Sequence, residues 1–216
     1  MRTVIRDDVE WSVKEYDIAG YDFWTDWELN GWEQYTLEVV DQFAQLGTTV
    51  IDVGAFVGPI SMWASDCDAD VVAIEPDPVA LSHLRINCAN NTPDVMIIPG
   101  AITSHTGECN IMPHPDGWGS SMTRVGNHGT TVPCWTLPDL FDVLELDNVS
   151  LVKIDTEGSE SLFLSEVAPF LANLKIPMLC AMHEDWWSEP LQREWFDGYS
   201  EVIGHMGGFD QILCLP

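Results

Sequence analysis

Positive charge is scarce in this chain of 216 residues. Eight Lys and Arg residues face 35 Asp and Glu residues, which gives a formal net charge of −27. Because binding to duplex DNA and to anionic membranes depends largely on cationic side chains, this balance argues against both kinds of partner. So large an acidic surplus repels itself, and molar salt screens that repulsion. We therefore expect a halophilic source, with an acidic mesophilic or viral protein as the alternative.

Several sequence signatures are missing as well. The six cysteines form no CxxC pair, and several lie in apolar runs, so we expect free thiols in a reducing compartment. The first residues contain no apolar signal-peptide core, and no run of 18 apolar residues occurs, which favours a cytoplasmic protein without a membrane span. Without GxSxG or HExxH, neither a serine hydrolase nor a zinc peptidase has support.

Most of the chain alternates between strand and helix patterns. Hydrophobic residues make up 46% of the composition, enough for a packed core. The alternation predicts an α/β fold with a mostly parallel sheet and helices on both faces. Residues 201–206 and 209–216 predict a closing antiparallel hairpin. The other predicted strands are 48–54, 70–76, 94–102, 150–155 and 176–184. The predicted helices are 32–46, 78–90, 137–146 and 188–196, one beginning at Gly58-Pro59, and one after strand 150–155 that carries Phe163, Val167 and Leu171 on one face.

Two segments lack this alternation. Residues 1–32 are rich in acids and aromatics without a clear period, so we expect either a cap on the core or a lid over a ligand cleft. Residues 103–135 hold Gly, Pro, Ser, Thr and short alternating pieces, which predicts a β-rich insertion in a single domain spanning 33–216. Trp24, Trp27 and Trp118 could stack on a sugar ring, although core packing explains them equally well.

The segment IDVGAFVG (51–58) predicts a ligand-binding turn. Gly54 directly follows a strand and Gly58 begins a helix, so a ligand there would meet bare backbone and a helix amino terminus. Glu75, in AIEPDP (73–78), ends the next strand 21 residues later and could accept both ribose hydroxyls. With no positive side chain expected near the turn, a sulfonium cofactor suits it better than a pyrophosphate. The alternative for residues 51–58 is a tight strand–helix turn that binds no ligand, and the alternative for Glu75 is a solvated acid at a strand end.

Two further motifs carry candidate catalytic groups. Asp155 ends a strand in LVKIDTEGSE (151–160), where an open sheet binds ligands, and Glu157 follows in the turn. His183, in AMHEDWW (181–187), could take a hydroxyl proton. Asp155 with Glu184 and Asp185 could bind Mg²⁺ or Ca²⁺. The alternative for Asp155 is an N-cap of the following helix, and the alternative for His183 is a loop histidine without a catalytic role.

These motifs, in this order, resemble the FkbM family of S-adenosylmethionine-dependent methyltransferases over about residues 33–185. The resemblance also rests on AIEPDPVALSHLRINCANN, GAITSHTGE, VPCWTLPDL and the strand before MHED. It implies the seven-stranded class I sheet with an antiparallel last strand. It also implies methyl transfer to a hydroxyl of a sugar, glycan or small natural product.

The resemblance assigns roles to individual positions. Asp52, Gly54 and Gly58 would frame the methionine part of the cofactor and Glu75 the ribose. Asp155 and Glu157 would stand at the methyl-transfer site. The full set of expected cofactor-binding residues is Asp52, Gly54, Ala55, Gly58, Glu75, Pro76, Gly100, Ala101, Ile102 and Asp155, and the expected catalytic residues are His183, Asp155 and Glu157.

Two departures from the family pattern keep alternatives open. The family commonly has Asn at the position of Phe56 and Glu at the position of Ala181. A cofactor-binding homologue without catalysis is therefore one alternative, and a protein or carboxylate acceptor is another. A nicotinamide-dependent oxidoreductase lacks its glycine fingerprint. In the reaction itself, His183 is the first candidate for the base that takes the hydroxyl proton, and Asp155 is the second.

Overall fold

The computed structural model describes residues 1–18, 20–115, 117, 119–183, 192–207 and 209–216. Two small hairpins and two helices come first. β1 (Arg2–Arg6) pairs antiparallel with β2 (Val9–Val13), and β3 (Asp17–Ile18) with β4 (Tyr21–Asp22). α1 (Phe23–Leu29) and α2 (Gln34–Phe43) follow. The seven residues of α1 are too few to give a recognisable period, which is why the sequence did not indicate this helix.

The remaining strands and helices form two sheets and the layers around them. In chain order they are β5 (Thr49–Val53), α3 (Pro59–Asp66), β6 (Asp70–Glu75), α4 (Pro78–Asn91), β7 (Met96–Pro99), β8 (Ala101–Ile102), β9 (Gly107–Met112), β10 (Arg124–Gly126), β11 (Thr130–Trp135), α5 (Leu137–Leu144), β12 (Val149–Ile154), α6 (Leu164–Leu174), β13 (Met178–Ala181), β14 (Glu201–Gly207) and β15 (Phe209–Leu215).

The central sheet has seven strands in the order β7-β6-β5-β12-β13-β15-β14. β15 runs antiparallel to both of its neighbours, whereas the other adjacent strands pair in parallel. This topology confirms the predicted α/β fold, including the closing hairpin and the antiparallel last strand. Among the described residues, no helix is long and apolar enough to cross a membrane.

Each face of the sheet is buried under its own core. In β6, Val71 and Ala73 pack with the amino-terminal elements and α2–α4, whereas Val72 and Ile74 pack with α5 and α6. Successive side chains of a strand point to opposite faces, so one apolar run supplies both cores. All six cysteines are free, as predicted, and five of them are buried.

A second, four-stranded sheet stands beside the central one, in the order β10-β9-β11-β8. The prediction of one strand over 94–102 was wrong, because the chain turns at Gly100 and passes from β7 of the central sheet to β8 of the small one. A Cβ at Gly100 would lie 2.4 Å from the Trp135 ring and 2.5 Å from the Pro133 carbonyl oxygen. Only glycine allows this crossing. Of the helix predicted over 188–196, residues 188–191 lie outside the described residues, and Arg193–Phe196 is a short 3₁₀ turn.

A cluster of tryptophans joins the amino-terminal elements to the sheet. Trp11 stacks on Trp27 with ring centroids 4.7 Å apart, and both meet Trp63 of α3 edge-on. Trp24 and Trp27 are 0% exposed, so the sugar-stacking role considered for them is wrong; Trp118 lies outside the described residues. These rings are the core under the cap, and aromatic burial of this extent stabilises the fold strongly.

We expect Trp27→Ala to lower the free energy of unfolding by about 3–5 kcal/mol, as for other large aromatic side chains removed from a core. Trp27→Phe should cost less than half of that, because the indole Nε1 of Trp27 has no hydrogen-bond partner to lose. Urea unfolding followed by circular dichroism measures both values. If both variants lost the same free energy of unfolding, or if neither lost any, the role of the tryptophan cluster in stability would be contradicted.

Candidate active site

Two adjoining clefts open where β5, β6 and β12 end. The first spans about 500 Å³ and the second about 1270 Å³, in both cases including space open to solvent. Gly54 and Asp155 line both clefts. The first is also lined by Glu75, Pro76, Gly100, Ala101 and Ile102, and the second by Ala55, Glu157 and His183. The structure thus brings together the residues that the sequence singled out, except Asp52 and Gly58, which line neither cleft.

Glu75 is a buried carboxylate held in place by backbone. Its Oε2 accepts the Phe56 N–H at 2.7 Å, and its Oε1 accepts the Asp77 N–H at 2.7 Å. Burial raises the pKa of Glu75 to about 8, against the effect of these hydrogen bonds. The alternative of a solvated acid at a strand end is therefore wrong. Each oxygen keeps a lone pair, so the side chain can still accept hydroxyl hydrogens from the first cleft.

Gly54 is required by the protein's own backbone rather than by a ligand. Its φ is +80°, and a Cβ there would lie 1.8 Å from the Asp155 carbonyl oxygen. The Gly54 and Ala55 N–H groups both donate to the Ile74 carbonyl oxygen at 3.0 Å. The expectation that bare amides of this turn would face a ligand is wrong at these two positions. What the turn supplies is a close approach between the ends of β5 and β12.

Gly58 has a similar structural reason. Its φ is +100°, and a Cβ there would lie 2.8 Å from Cδ1 of Leu84 in α4. Glycine therefore lets the start of α3 pack directly against α4. The residue shapes the wall behind the turn without lining a cleft.

A lysine pairs with the acid that was expected to frame the cofactor. Asp52 is 0% exposed, its Oδ2 accepts the Ser61 hydroxyl at 2.6 Å, and its Oδ1 lies 3.1 Å from Lys153 Nζ. Lys153 also donates to the Gly54 carbonyl oxygen at 3.0 Å. Burial opposes the charge of Lys153, but Asp52 and Asp155 outweigh it and raise the pKa of the lysine. The prediction of a turn without a nearby positive side chain was wrong.

His183 stands among three carboxylates. Its Nε2 lies 3.7 Å from Asp155 Oδ1 and 3.4 Å from Glu157 Oε2, and its Nδ1 lies 3.2 Å from Glu160 Oε1. Glu160 is 0% exposed and is fixed by the N–H groups of Thr156 at 2.6 Å and Gly158 at 2.8 Å. The predicted catalytic residues thus form one group, to which the structure adds Glu160.

The protonation of this group follows from its burial and charge. Burial acts to lower the pKa of His183, yet the hydrogen bond with Glu160 and the charges of Asp155, Glu160 and Glu157 raise it to about 9. Burial and the charge of Asp155 raise the pKa of Glu157 to about 8. Burial also raises the pKa of Asp155. At neutral pH, His183 is therefore an imidazolium, which has no lone pair to take a proton.

The expected metal ligands are only partly described. Glu184 and Asp185 lie outside the described residues, and Asp155 is instead grouped with Glu157 and His183, whose candidate ligand atoms lie within 4.8 Å of one another. These distances suit a divalent cation. An imidazolium cannot ligate one, so a metal ion here would have to displace the proton of His183.

Three other charged side chains were missed by the sequence reasoning: Glu33 and Lys153 line the second cleft, whereas Asp77 lines neither cleft but contacts a loop beside them. Asp77 is 0% exposed; its Oδ1 caps α4, and its Oδ2 accepts the Gly119 N–H at 2.9 Å and the Thr123 hydroxyl at 2.6 Å. It thereby ties the loop 119–123 to the end of β6. An Asp before Pro78 is a recognisable helix cap, but nothing local indicates the second contact. Lys153 and Glu33 gave no local signal at all.

Comparison with known proteins identifies the family. Residues 52–197 match the model of the family described as the methyltransferase FkbM domain, which is more than half of the chain. This chain belongs to the FkbM methyltransferase family. No curated protein matches its sequence. Glu33 and the rest of the amino-terminal segment lie outside the matched range.

Solved structures share the fold of this FkbM family member at low sequence identity. A methyltransferase FkbM from Methylobacillus flagellatus matches with a TM-score of 0.52 and 17% identity, over 78% of this chain and 43% of that one. WbdD matches with a TM-score of 0.55 and 16% sequence identity, over 92% of this chain and 43% of that one. Fibrillarin from Aeropyrum pernix was solved with natively bound S-adenosyl-L-methionine. It matches with a TM-score of 0.52 and 13% sequence identity, over 94% of this chain and 83% of that one. This chain thus spans less than half the length of the first two.

Replacing Gly54 by Ala should destabilise the protein by several kcal/mol more than replacing Gly47 by Ala. The two glycines have nearly the same φ, +80° and +78°, but a Cβ at Gly47 meets nothing within 4 Å. Gly47→Ala therefore measures the cost of the left-handed backbone alone, about 1 kcal/mol. Urea unfolding of both variants isolates the clash with Asp155, and equal losses would show that the turn has room for a side chain.

Proposed function

We propose that this FkbM family member transfers a methyl group from S-adenosylmethionine to a hydroxyl of a sugar, glycan or small natural product. The supporting observation is the pair of adjoining clefts, with Glu75 presented at one and Asp155, Glu157 and His183 at the other. The likeness to a fibrillarin that binds S-adenosyl-L-methionine supports the cofactor. The net charge supports a substrate other than nucleic acid. A cytoplasmic location remains a prediction.

The residues of both clefts fit this cofactor. Glu75 has acceptor capacity for two ribose hydroxyls, and Gly100, Ala101 and Ile102 provide a narrow wall beside it for a flat base. The carboxylates of the second cleft suit a positively charged sulfonium. When bound, S-adenosylmethionine supplies an electrophilic methyl group. The protein's part is to orient the acceptor oxygen and to accept its proton.

We assign proton acceptance to Asp155 rather than to His183. The raised pKa of His183 keeps its ring protonated at neutral pH, and Glu160 holds it in place. Its positive charge lowers the pKa of Asp155 and of Glu157, against the effect of burial. Asp155 lies in both clefts, where an acceptor hydroxyl can reach it. Its raised pKa makes it a stronger base than an ordinary carboxylate.

Asp155→Asn should reduce methyl transfer by about 10²–10⁴-fold, because it removes the proton acceptor. His183→Ala should also reduce transfer at pH 7, but part of the activity should return at pH 9. The reason is that loss of the imidazolium raises the pKa of Asp155, and higher pH then restores its ionised form. Transfer of labelled methyl groups to a panel of glycans and hydroxylated metabolites measures this, with exposed Asp94→Asn as the control.

The pH profile separates the two assignments. If His183 were the base, the loss in His183→Ala would persist at every pH. Unchanged turnover in both Asp155→Asn and His183→Ala would remove the whole assignment.

Two alternatives have their own supporting observations. A binder without catalysis is suggested by Phe56 and by Ala181, which leaves the end of β13 without a carboxylate. Glu160 contacts His183 from another element and supplies the carboxylate that Ala181 lacks, which favours an enzyme. Calorimetric binding of S-adenosylhomocysteine without transfer to any acceptor would support the binder, and transfer to a protein or carboxylate would support a different acceptor.

A further inference from the structure

Glu33 is a charged residue at the second cleft to which the reaction above gives no role. It is the residue before α2, yet its side chain makes no capping hydrogen bond, and its backbone is left-handed at φ 45° and ψ 42°. Such a conformation costs about 1–2 kcal/mol for a residue other than glycine. The side chain lines the second cleft. The left-handed backbone at Glu33 therefore coincides with a carboxylate side chain in the second cleft.

The carboxylate of Glu33 lacks a full set of partners. Its Oε2 is buried from solvent, and no hydrogen-bond donor contacts it within the described part of the chain. Burial and the nearby charge of Asp155 raise the pKa of Glu33 to about 7, whereas Lys153 and a hydrogen bond with Thr36 act in the opposite direction. A buried acceptor without a donor is costly, so a cationic donor arriving in the cleft would stabilise it.

The lysine nearby cannot fill this role by itself. Lys153 Nζ is 3.1 Å from Asp52 Oδ1 and 3.9 Å from Asp155 Oδ2, and it donates to the Gly54 carbonyl oxygen. One ammonium therefore already serves two carboxylates, and Glu33 is a third. His183 is a second cation of the site, but the two cations still stand among five carboxyl groups, those of Asp52, Asp155, Glu157, Glu160 and Glu33, so a further cation would be stabilised there.

Asp52 was expected at the methionine part of the cofactor, but it cannot contact a ligand. It is 0% exposed, and both of its oxygens face partners inside the protein. A ligand with its nucleoside beside Glu75 in the first cleft can extend past Gly54 into the second, since Gly54 lines both. Among the described residues of that second cleft, two carboxylates keep a buried oxygen without a hydrogen-bond donor, Asp155 Oδ1 and Glu33 Oε2. Asp155 Oδ1 lies 3.7 Å from His183 Nε2 and belongs to the proposed proton acceptor, which leaves Glu33 for the ligand's charged end.

We propose that Glu33 binds the α-ammonium group of the cofactor's amino acid part. This inference rests on the proposed use of S-adenosylmethionine and assigns a binding residue outside the matched residues 52–197. Glu33 accepts hydrogen bonds from the ammonium through Oε2, and the ligand's positive charge offsets the excess of buried carboxylates.

The test compares two ligands that differ only by the amino acid part. S-adenosylhomocysteine carries the ammonium, and 5′-methylthioadenosine keeps the nucleoside and the sulfur without it. Glu33→Gln retains the shape and removes the charge, so affinity for S-adenosylhomocysteine should fall about 10–100-fold, the range of a charge-assisted hydrogen bond. Affinity for 5′-methylthioadenosine should change less than about twofold. Isothermal titration calorimetry measures both.

The matched control is Asp26→Asn, which neutralises another carboxylate of the same cleft. Asp26 already accepts from Tyr21 at 2.7 Å and from Asn30 at 2.8 Å, so this change should leave both affinities within about twofold. Decarboxylated S-adenosylhomocysteine, which keeps the amine but not the carboxylate, should lose affinity for Glu33→Gln in the same way. Thermal melting shows that each variant is folded.

The outcomes separate this inference from the proposed function. Equal losses for both ligands in Glu33→Gln would assign Glu33 a structural role only, and unchanged binding of both would remove it from the site; either result overturns the inference while leaving the cofactor in place. If Glu33→Gln fails to fold, the affinities of the wild-type protein for the two ligands are compared instead. Equal affinities for 5′-methylthioadenosine and S-adenosylhomocysteine would overturn the inference that the ammonium group is bound. Failure of the wild-type protein to bind either ligand would instead overturn the proposed function.

Discussion

A buried ion pair between two central strands fixes the geometry on which the site depends. Lys153 of β12 and Asp52 of β5 are direct partners in the register of the parallel sheet. Their charged atoms lie 3.1 Å apart, and Lys153 also holds the Gly54 carbonyl oxygen. A charge this deeply buried is stable only with such partners. Because Gly54 and Asp155 follow these two residues along their strands, the pair sets the edge where both clefts open.

The acidity of the surface and the acidity of the site have different physical meanings. Surface carboxylates are solvated, and their repulsion is screened by salt. The carboxyl groups of Glu33, Glu75, Asp155 and Glu157 are shielded from water, and burial raises the pKa of each. Composition alone does not place acids where they are least stable. Their gathering around Gly54 is what the proposed binding of a positively charged cofactor requires.

The residues that the sequence expected at the site, and that the structure finds at the clefts, share a local signal. Glu75 and Asp155 each follow an apolar strand, and parallel strands bring their carboxyl ends to one edge, so sequence position was enough to group them. Gly54 was found for the same reason, although the Asp155 carbonyl oxygen, and not a ligand, is what excludes a side chain there. Lys153 lies inside a strand, and Glu33 lies in a segment without a clear period. Nothing around either residue in the sequence indicates which charge it meets.

Hydrophobic alternation and the glycine and acid at each strand end determined the fold class and the location of the clefts, because these depend on periodicity and short-range turn chemistry. Tertiary structure alone decided that Asp52 is buried against Lys153, that neighbouring carboxylates raise the pKa of His183, and that Glu33 keeps an oxygen without a donor. Each of these depends on burial and on charges contributed by segments distant in the chain. Pattern within a segment carries no information about such contacts.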